Sequence, residues 1–373
     1  MTRHPWKTPC FAAISIFLGL LAGLLLAEAA VRIIFRGLPD GLFHQRGYFV
    51  KSPHPLAAYE HLPNSTYHEG MYRINSRGFR GPEYPPLTPE GTCRIAALGD
   101  SYTFGAAVTW EDTWVRKLEI YLNELVKNCR VEILNFGVQA YNTRNELGLL
   151  ESKVLEFHPE MVLLGHLIND DFYNYIRFVR GNLMFHYEED PDQRIPLPSS
   201  LKQFFYNHSL LYRYLSTQYL NLFRDEIEAQ RAREQQNQNN NWCPPPEKRR
   251  PVDAESLRGI NRLCKKNDIT LVILDFPVAP WVKSIREKPA DTENVSFHLK
   301  KLAEELAIKY IDLFPVLVGH NGKKLWLTPG DHHPNAELSD LYAKYLAGIL
   351  APLIQTEWEN RHEVPSHSGP LRP

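Results

Sequence analysis

Three observations predict a three-layer α/β/α protein with a central parallel five-stranded sheet, preceded by an N-terminal transmembrane helix. From residue 93 onward, strand-like apolar runs alternate with segments of helical periodicity. The helices between the runs are ten residues or longer, the length that a crossover between parallel strands requires. One long apolar stretch, Cys10–Ala27, stands apart at the N-terminus.

That stretch, CFAAISIFLGLLAGLLLA, is about the minimum length for a membrane span, and EAAVRIIF lengthens it. Arg3 and Lys7 precede it, a charge pattern that holds the N-terminus in the cytoplasm and sends the rest of the chain across. We read residues 1–36 as a cytoplasmic N-terminus with an uncleaved single-pass anchor. The rival is a cleaved signal peptide, because Ala27-Glu28-Ala29 resembles a small-x-small cleavage site. Residues 37–92, rich in Pro, Gly, Tyr and His, read as an irregular lead-in that packs on the main domain. Within them, YRINSRGFRGPEY (72–84) reads as a turn-rich surface strand pair.

The main domain, residues 93–358, then follows in order. RIAALGD is a first strand, and WEDTWVRKLEIYLNELVKN a helix with Trp110, Trp114, Leu118, Leu122 and Leu125 near one face. RVEILNFG is a second strand, NTRNELGLLESKVLEF a helix and PEMVLLGHL a third strand. After an insertion, AESLRGINRLCKKN is a helix and ITLVILDFP a fourth strand. ENVSFHLKKLAEELAIK is a helix, YIDLFPVL a fifth strand, and AELSDLYAKYLAGILAPLIQTEW the closing helix. The insertion, 172–252, holds an aromatic-rich segment, LKQFFYNHSLLYRYLSTQYLNLF, expected as a helical cap over the sheet edge. A polar low-complexity tract follows it, expected as a mobile loop. Residues 359–373 are expected to form a disordered tail.

In an open parallel sheet, ligands bind beyond the carboxyl ends of the strands. The first strand delivers Asp100-Ser101 there, the second Asn135-Phe136-Gly137 and the third Asn169-Asp170; the loop after the fifth delivers TPGDHHPN, 328–335. GDS, NFGVQAYNT, PEMVLLGHLIND and DHHPN, in that order and spacing, resemble the SGNH hydrolases, or GDSL esterases and lipases. The likeness covers residues 94 to about 350. The lead-in INSRGFRGPE and the N-terminal helix resemble the membrane-anchored bacterial members. The resemblance implies the SGNH, flavodoxin-like fold. It also implies Ser101 as nucleophile, His333 as its base and Asp331 as the acid that orients the imidazole. The implied oxyanion hole is the backbone N–H of Ser101, the backbone N–H of Gly137 and the side-chain amide of Asn169. Gly137 also suits a place where a side chain could obstruct the substrate carbonyl.

Two positions depart from the family pattern. Gly330 stands three residues before His333, where the family often has its acid, and Leu167 stands where it has a glycine two residues before the asparagine. His332 competes with His333 as base. Asp100 reads as a structural acceptor for the N–H groups of the turn, and Asp170 likewise. His166 reads as a buried strand histidine, and Tyr102 and Phe104 as packing beneath the turn.

Lys plus Arg number 42 and Asp plus Glu 43, which leaves no basic excess for nucleic acid. No CxxC or histidine-rich spacing suggests a metal, GDSYTFG lacks the glycine spacing of a phosphate loop, and no cofactor is expected. Cys93 and Cys129 each begin a strand and are expected to form a disulfide in an oxidising compartment; Cys243 and Cys264 are the remaining pair. The chemistry expected is hydrolysis of an acyl ester, plausibly an O-acetyl group on an envelope or exported glycan, by a periplasmic domain. The alternatives are an O-acyltransferase using the same serine and a catalytically silent envelope assembly or binding protein.

Overall fold

The computed structural model describes residues 7–34, 48–68, 70–167, 176–179, 182–185, 195–222, 253–278, 284–288, 290–328 and 331–362. The chain divides into two compact units: residues 1–48 with 177–239, and residues 49–176 with 240–373.

The larger unit begins with two small antiparallel pairs. These are β1 (Phe49–Lys51) with β2 (Tyr59–His61), and β3 (Thr66–Tyr67) with β4 (Tyr72–Arg73). The main sheet comprises β5 (Thr92–Gly99), β6 (Arg130–Gly137), β7 (Met161–Leu167), β10 (Thr270–Phe276) and β11 (Lys309–Asp312), in the order β11-β10-β7-β5-β6. All its pairings are parallel, as the sequence predicts. A paired two-stranded ribbon in the insertion, β8 (Ile176–Val179) and β9 (Asn182–Phe185), belongs from Arg177 onward to the smaller unit.

Among the described residues, the α-helices of the larger unit are the short α2 (Ser101–Phe104), α3 (Trp114–Leu125), α4 (Thr143–Ser152), α7 (Ala254–Lys266), α8 (Ala290–Glu305) and α9 (Ala336–His362). The smaller unit supplies α1 (Lys7–Ile34), α5 (Ser199–His208) and α6 (Leu210–Asn221).

Helix starts follow their caps. Thr113, Asn142 and Asp253 each accept a backbone N–H three residues on. Thr113 therefore starts α3 four residues later than the periodicity suggests. The segment predicted as one helix over 142–157 is α4 followed by a 3-10 turn at Val154–Phe157. The closing helix runs through His362, past the residue at which a tail is expected.

On β5, Ile95 and Ala97 enter one core with Trp114, Leu118 and Leu122 of α3 and Leu338, Tyr342, Leu346 and Leu350 of α9. Leu98 and Ala96, of opposite parity, are equally buried, while α4 packs on α7. Alternate side chains serve opposite faces, so a strand covered on both reads as continuously apolar.

The lead-in departs from the expected surface strand pair. Tyr72, Ile74, Phe79 and Arg80 are all buried. Arg80 is 1% exposed. Its Nη1 donates to the carbonyls of Phe104 (2.9 Å) and Gly105, and its Nη2 to those of Val108 (2.6 Å) and Met71 (3.4 Å). The guanidinium lies over the rings of Tyr72 and Phe104, at 4.7 and 4.9 Å. Among the described residues, no carboxylate lies within ion-pair distance of it. Burial pulls its pKa down to about 10, which leaves it charged at neutral pH.

His61 is buried between the rings of Phe49 (4.9 Å) and Phe104 (4.7 Å), and its Nδ1 shares a hydrogen bond of 3.1 Å with Tyr67 Oη. Burial lowers its pKa to about 3. Below pH 6.5 the unfolded chain binds a proton that the folded chain refuses, so this histidine's contribution is lost as pH falls towards 3. Asp100, discussed below, shifts in the opposite sense, so the difference between proteins isolates His61. Relative to wild type, His61→Phe is expected to gain about 1.4 kcal/mol per pH unit across that window. Urea unfolding at pH 7, 5 and 4 measures this; a pH-independent difference would contradict it.

Cys93 and Cys129 are free thiols in this structure, so the expected disulfide is not formed. Cys93 stands in the ladder opposite Val131, with Cys129 just before that strand. The neighbouring Cys129 and burial push the Cys93 thiol far up, while the neighbouring Cys93 lowers the Cys129 thiol against the opposing effect of burial. Cys264 is a buried free thiol, and Cys243 lies outside the described residues.

Candidate active site

Strand β5 ends at Gly99, and the chain turns at Asp100 into α2. Asp100 caps this turn: its Oδ1 accepts the Tyr102 N–H at 2.8 Å. Burial pushes the Asp100 carboxyl up to about 6, against the pull of that N–H and of nearby His333. The turn closes at Gly105 (φ 81°), where a Cβ would stand 2.4 Å from Thr113 Cγ2. Tyr102 and Phe104 are buried beneath the turn. Trp114 Nε1 donates to the Tyr102 carbonyl at 3.0 Å. The first residue of the turn, Ser101, is left half-buried at the carboxyl end of β5.

The histidine reaches this place by a route the helix and strand periodicities do not reveal. Residues 326–334 form a small antiparallel hairpin, β12 (Trp326–Thr328) and β13 (Asp331–Pro334), with a register shift between Trp326 and Thr328. Asn335 fixes its exit. Its N–H donates to the Leu325 carbonyl at 3.0 Å, its Nδ2 to the Lys324 carbonyl, and its Oδ1 accepts the Leu338 N–H at 3.0 Å. One side chain thus caps α9 and pins the hairpin to the preceding turn. His333 then lies with Nε2 2.9 Å from Ser101 Oγ, its ring 5.7 Å from that of Tyr102.

The structure brings Ser101 and His333 together. Asp331 lies on β13, two residues before His333 in the chain; its side chain and that of His332 lie outside the description, as do Asn169 and Asp170 entirely. His166 is buried within β7.

Gly137 is corrected. Its N–H donates to Asn135 Oδ1 at 2.9 Å and is therefore already engaged. A Cβ here would stand 2.1 Å from the Phe104 N and 2.6 Å from the Thr103 carbonyl carbon. The residue is glycine because α2 lies directly against the end of β6. Asn135 Nδ2 completes the arrangement by donating to the Thr103 carbonyl at 2.8 Å. Gly137→Ala is expected to cost about 3 kcal/mol of stability by overpacking and to slow any reaction at Ser101 by displacing the turn. Thermal unfolding beside a rate measurement checks this; a variant indistinguishable from wild type in both would refute it.

Sequence reasoning missed Ala140. It adopts a left-handed φ of 60°, unusual for a residue with a Cβ, in the loop after β6. Tyr59 Oη donates to its carbonyl at 2.8 Å and holds the loop. Among the described residues, nothing accepts the N–H of Ala140 or of Ser101. The signal available in the sequence was Tyr141-Asn142, which fixes the loop's end: Asn142 caps α4.

No protein-family model matches this chain, and no curated protein matches it. Solved structures do. An acetyl xylan esterase, AlAXEase, is 13% identical over 69% of this chain and 99% of its own, with a TM-score of 0.40. The lipase/acylhydrolase from Enterococcus faecalis is 10% identical over 70% of this chain and 96% of its own, with a TM-score of 0.38. A two-domain esterase (CEX) active on acetylated mannans is 12% identical over 71% of this chain and 50% of its own, with a TM-score of 0.40.

Proposed function

We propose that the chain is a serine hydrolase acting on acyl esters, with Ser101 as nucleophile and His333 as general base. The observation that carries this reading is the 2.9 Å hydrogen bond between Ser101 Oγ and His333 Nε2 at the carboxyl end of β5. A serine hydroxyl attacks a carbonyl carbon only as its proton leaves, and an imidazole nitrogen at this distance takes that proton.

In the reaction, Oγ bonds to the acyl carbon while His333 Nε2 receives the hydroxyl proton. The tetrahedral oxyanion collapses, the ester C–O bond breaks, and the protonated imidazole returns its proton to the departing alcohol. Water then repeats the sequence on the acyl-serine. Asp331 is the proposed partner that orients and stabilises the imidazolium. The oxyanion needs donors already in place. The N–H groups of Ser101 and Ala140, which have no acceptor among the described residues, suit this part, with the Asn169 amide as the proposed third donor. Gly137, its N–H held by Asn135, is left out of the hole.

The substrate class that fits is an O-acyl ester of an exported glycan. Its support is the N-terminal helix Phe11–Ile34, 24 residues with mean hydropathy 2.3, a candidate membrane span or signal sequence. Arg3 and Lys7 before it favour a cytoplasmic N-terminus and an extracytoplasmic catalytic unit.

A fluorophosphonate probe tests the assignment. Mass spectrometry of the labelled full-length chain is expected to place the adduct on Ser101, with labelling lost in His333→Ala. A folded protein that takes no label, or labelling independent of His333, would overturn it. Acetyl release from an acetylated polysaccharide, with and without a glycan acceptor, then distinguishes hydrolysis from transfer.

A further inference from the structure

We propose that the α5–α6 pair of the insertion is a membrane-interface element, bolted to the end of the N-terminal helix and covered by lipid. The bolt is one carboxylate. Glu28 of α1 accepts from Ser209 Oγ (2.7 Å), the Leu210 N–H (2.9 Å) and the Leu211 N–H (2.9 Å). Those N–H groups are the unpaired donors at the start of α6. Four residues on, Arg32 bonds Glu28 at 2.7 Å and donates from Nη2 to the His208 carbonyl at 3.1 Å, at the end of α5. A negative charge thus meets the positive pole of α6, and a positive charge the negative pole of α5. The contact joins residues 181 to 183 positions apart in sequence.

The position of the bolt decides what surrounds it. Glu28 lies about 26 Å along α1 from Phe11, at 1.5 Å per residue, which is near the far edge of a hydrocarbon core about 30 Å thick. Before it, α1 is apolar on all sides and almost wholly exposed within the protein, as a candidate membrane span is. An ion pair is costly inside the hydrocarbon and tolerable at the boundary.

The helices fixed at this level, with Leu222 just beyond α6, carry an exposed apolar surface. Phe204, Leu215 and Leu222 are 54%, 53% and 78% exposed, and Leu201, Phe205 and Tyr219 are exposed beside them. Leu, Phe and Tyr on short helices at the headgroup level are the composition of an interfacial element. The same geometry bears on the Ala27-Glu28-Ala29 site. Cleavage after Ala29 would separate Glu28 from the helix it caps, so the proposal requires that the anchor be retained.

The full-length chain, reconstituted in phosphatidylcholine vesicles containing a diazirine-bearing phosphatidylcholine, tests this. After photolysis, mass spectrometry is expected to find lipid adducts in peptides covering 11–34 and 199–222. None is expected at Leu87 or Phe297, equally exposed apolar residues of the other unit. Glu28→Gln and Glu28→Ala are expected to reduce the 199–222 adducts several-fold and leave those in 11–34 unchanged. Adducts confined to 11–34 would overturn the proposal, as would protein–protein cross-links through 199–222 in their place. Wild-type adduct yields in both Glu28 variants would overturn the role of the bolt.

Discussion

Ser101→Ala is expected to lower kcat by about 10⁴ to 10⁶ while leaving the unfolding midpoint close to that of wild type. The side chain is half-buried and its Oγ has two partners, His333 Nε2 at 2.9 Å and Asp100 Oδ2 at 3.4 Å. The cap that shapes the turn is the separate bond from the Tyr102 N–H to Asp100 Oδ1, which the substitution leaves intact. His333→Ala is expected to lose about as much, and the double variant no more than either alone, because the two act as one unit. Steady-state hydrolysis of an aryl acetate, with circular dichroism as the control for folding, measures all three. Multiplying losses in the double variant would mean that the serine and the histidine serve different steps.

The second large effect is expected away from the reacting atoms. Arg80→Met removes the donors that satisfy four backbone carbonyls, at Met71, Phe104, Gly105 and Val108. Residues 104 and 105 close the turn that carries Ser101. With buried carbonyls left unpaired at roughly 1–3 kcal/mol each, the total loss is expected at about 4 kcal/mol. Arg80→Lys keeps the charge but replaces a planar fork by a point donor, so it recovers only part of this. Urea denaturation gives the stability, and the rate of fluorophosphonate labelling reports the geometry of the turn. A methionine variant within 1 kcal/mol of wild type would show that the carbonyls find other donors.

The parts of this fold that were legible in the sequence are those where one physical signal dominates. The inner strands β5, β7 and β10 are covered on both faces, so each reads as a short, largely apolar run, and Ile95 to Leu98 is the plainest case. Helix starts were less legible because capping decides them: Trp110 continues the apolar period, yet the helix begins only after Thr113 accepts its N–H bond. The lead-in was misread because a stretch with three arginines between turn residues looks solvated, and a buried guanidinium is rare. Only the carbonyls of α2 make sense of Arg80 there, and they are contributed by a distant part of the chain. The hairpin that carries His333 is too short to show a period. Gly137 was misassigned because a glycine at a strand end fits an open approach to substrate and a close approach of backbone equally well. The distance to Phe104 N separates the two.

The hydrogen bond between Ser101 and His333 spans 232 residues of chain. The hairpin that bears the histidine is held by Asn335, whose other bond caps the last helix. During synthesis the serine is therefore made well before the hairpin that gives it its partner. On the proposed reading, a chain emerging from the ribosome, or passing through a membrane N-terminus first, carries an ordinary hydroxyl at position 101 until the segment around His333 has been made and docked. Chains cut short before that hairpin are expected to be chemically quiet at Ser101.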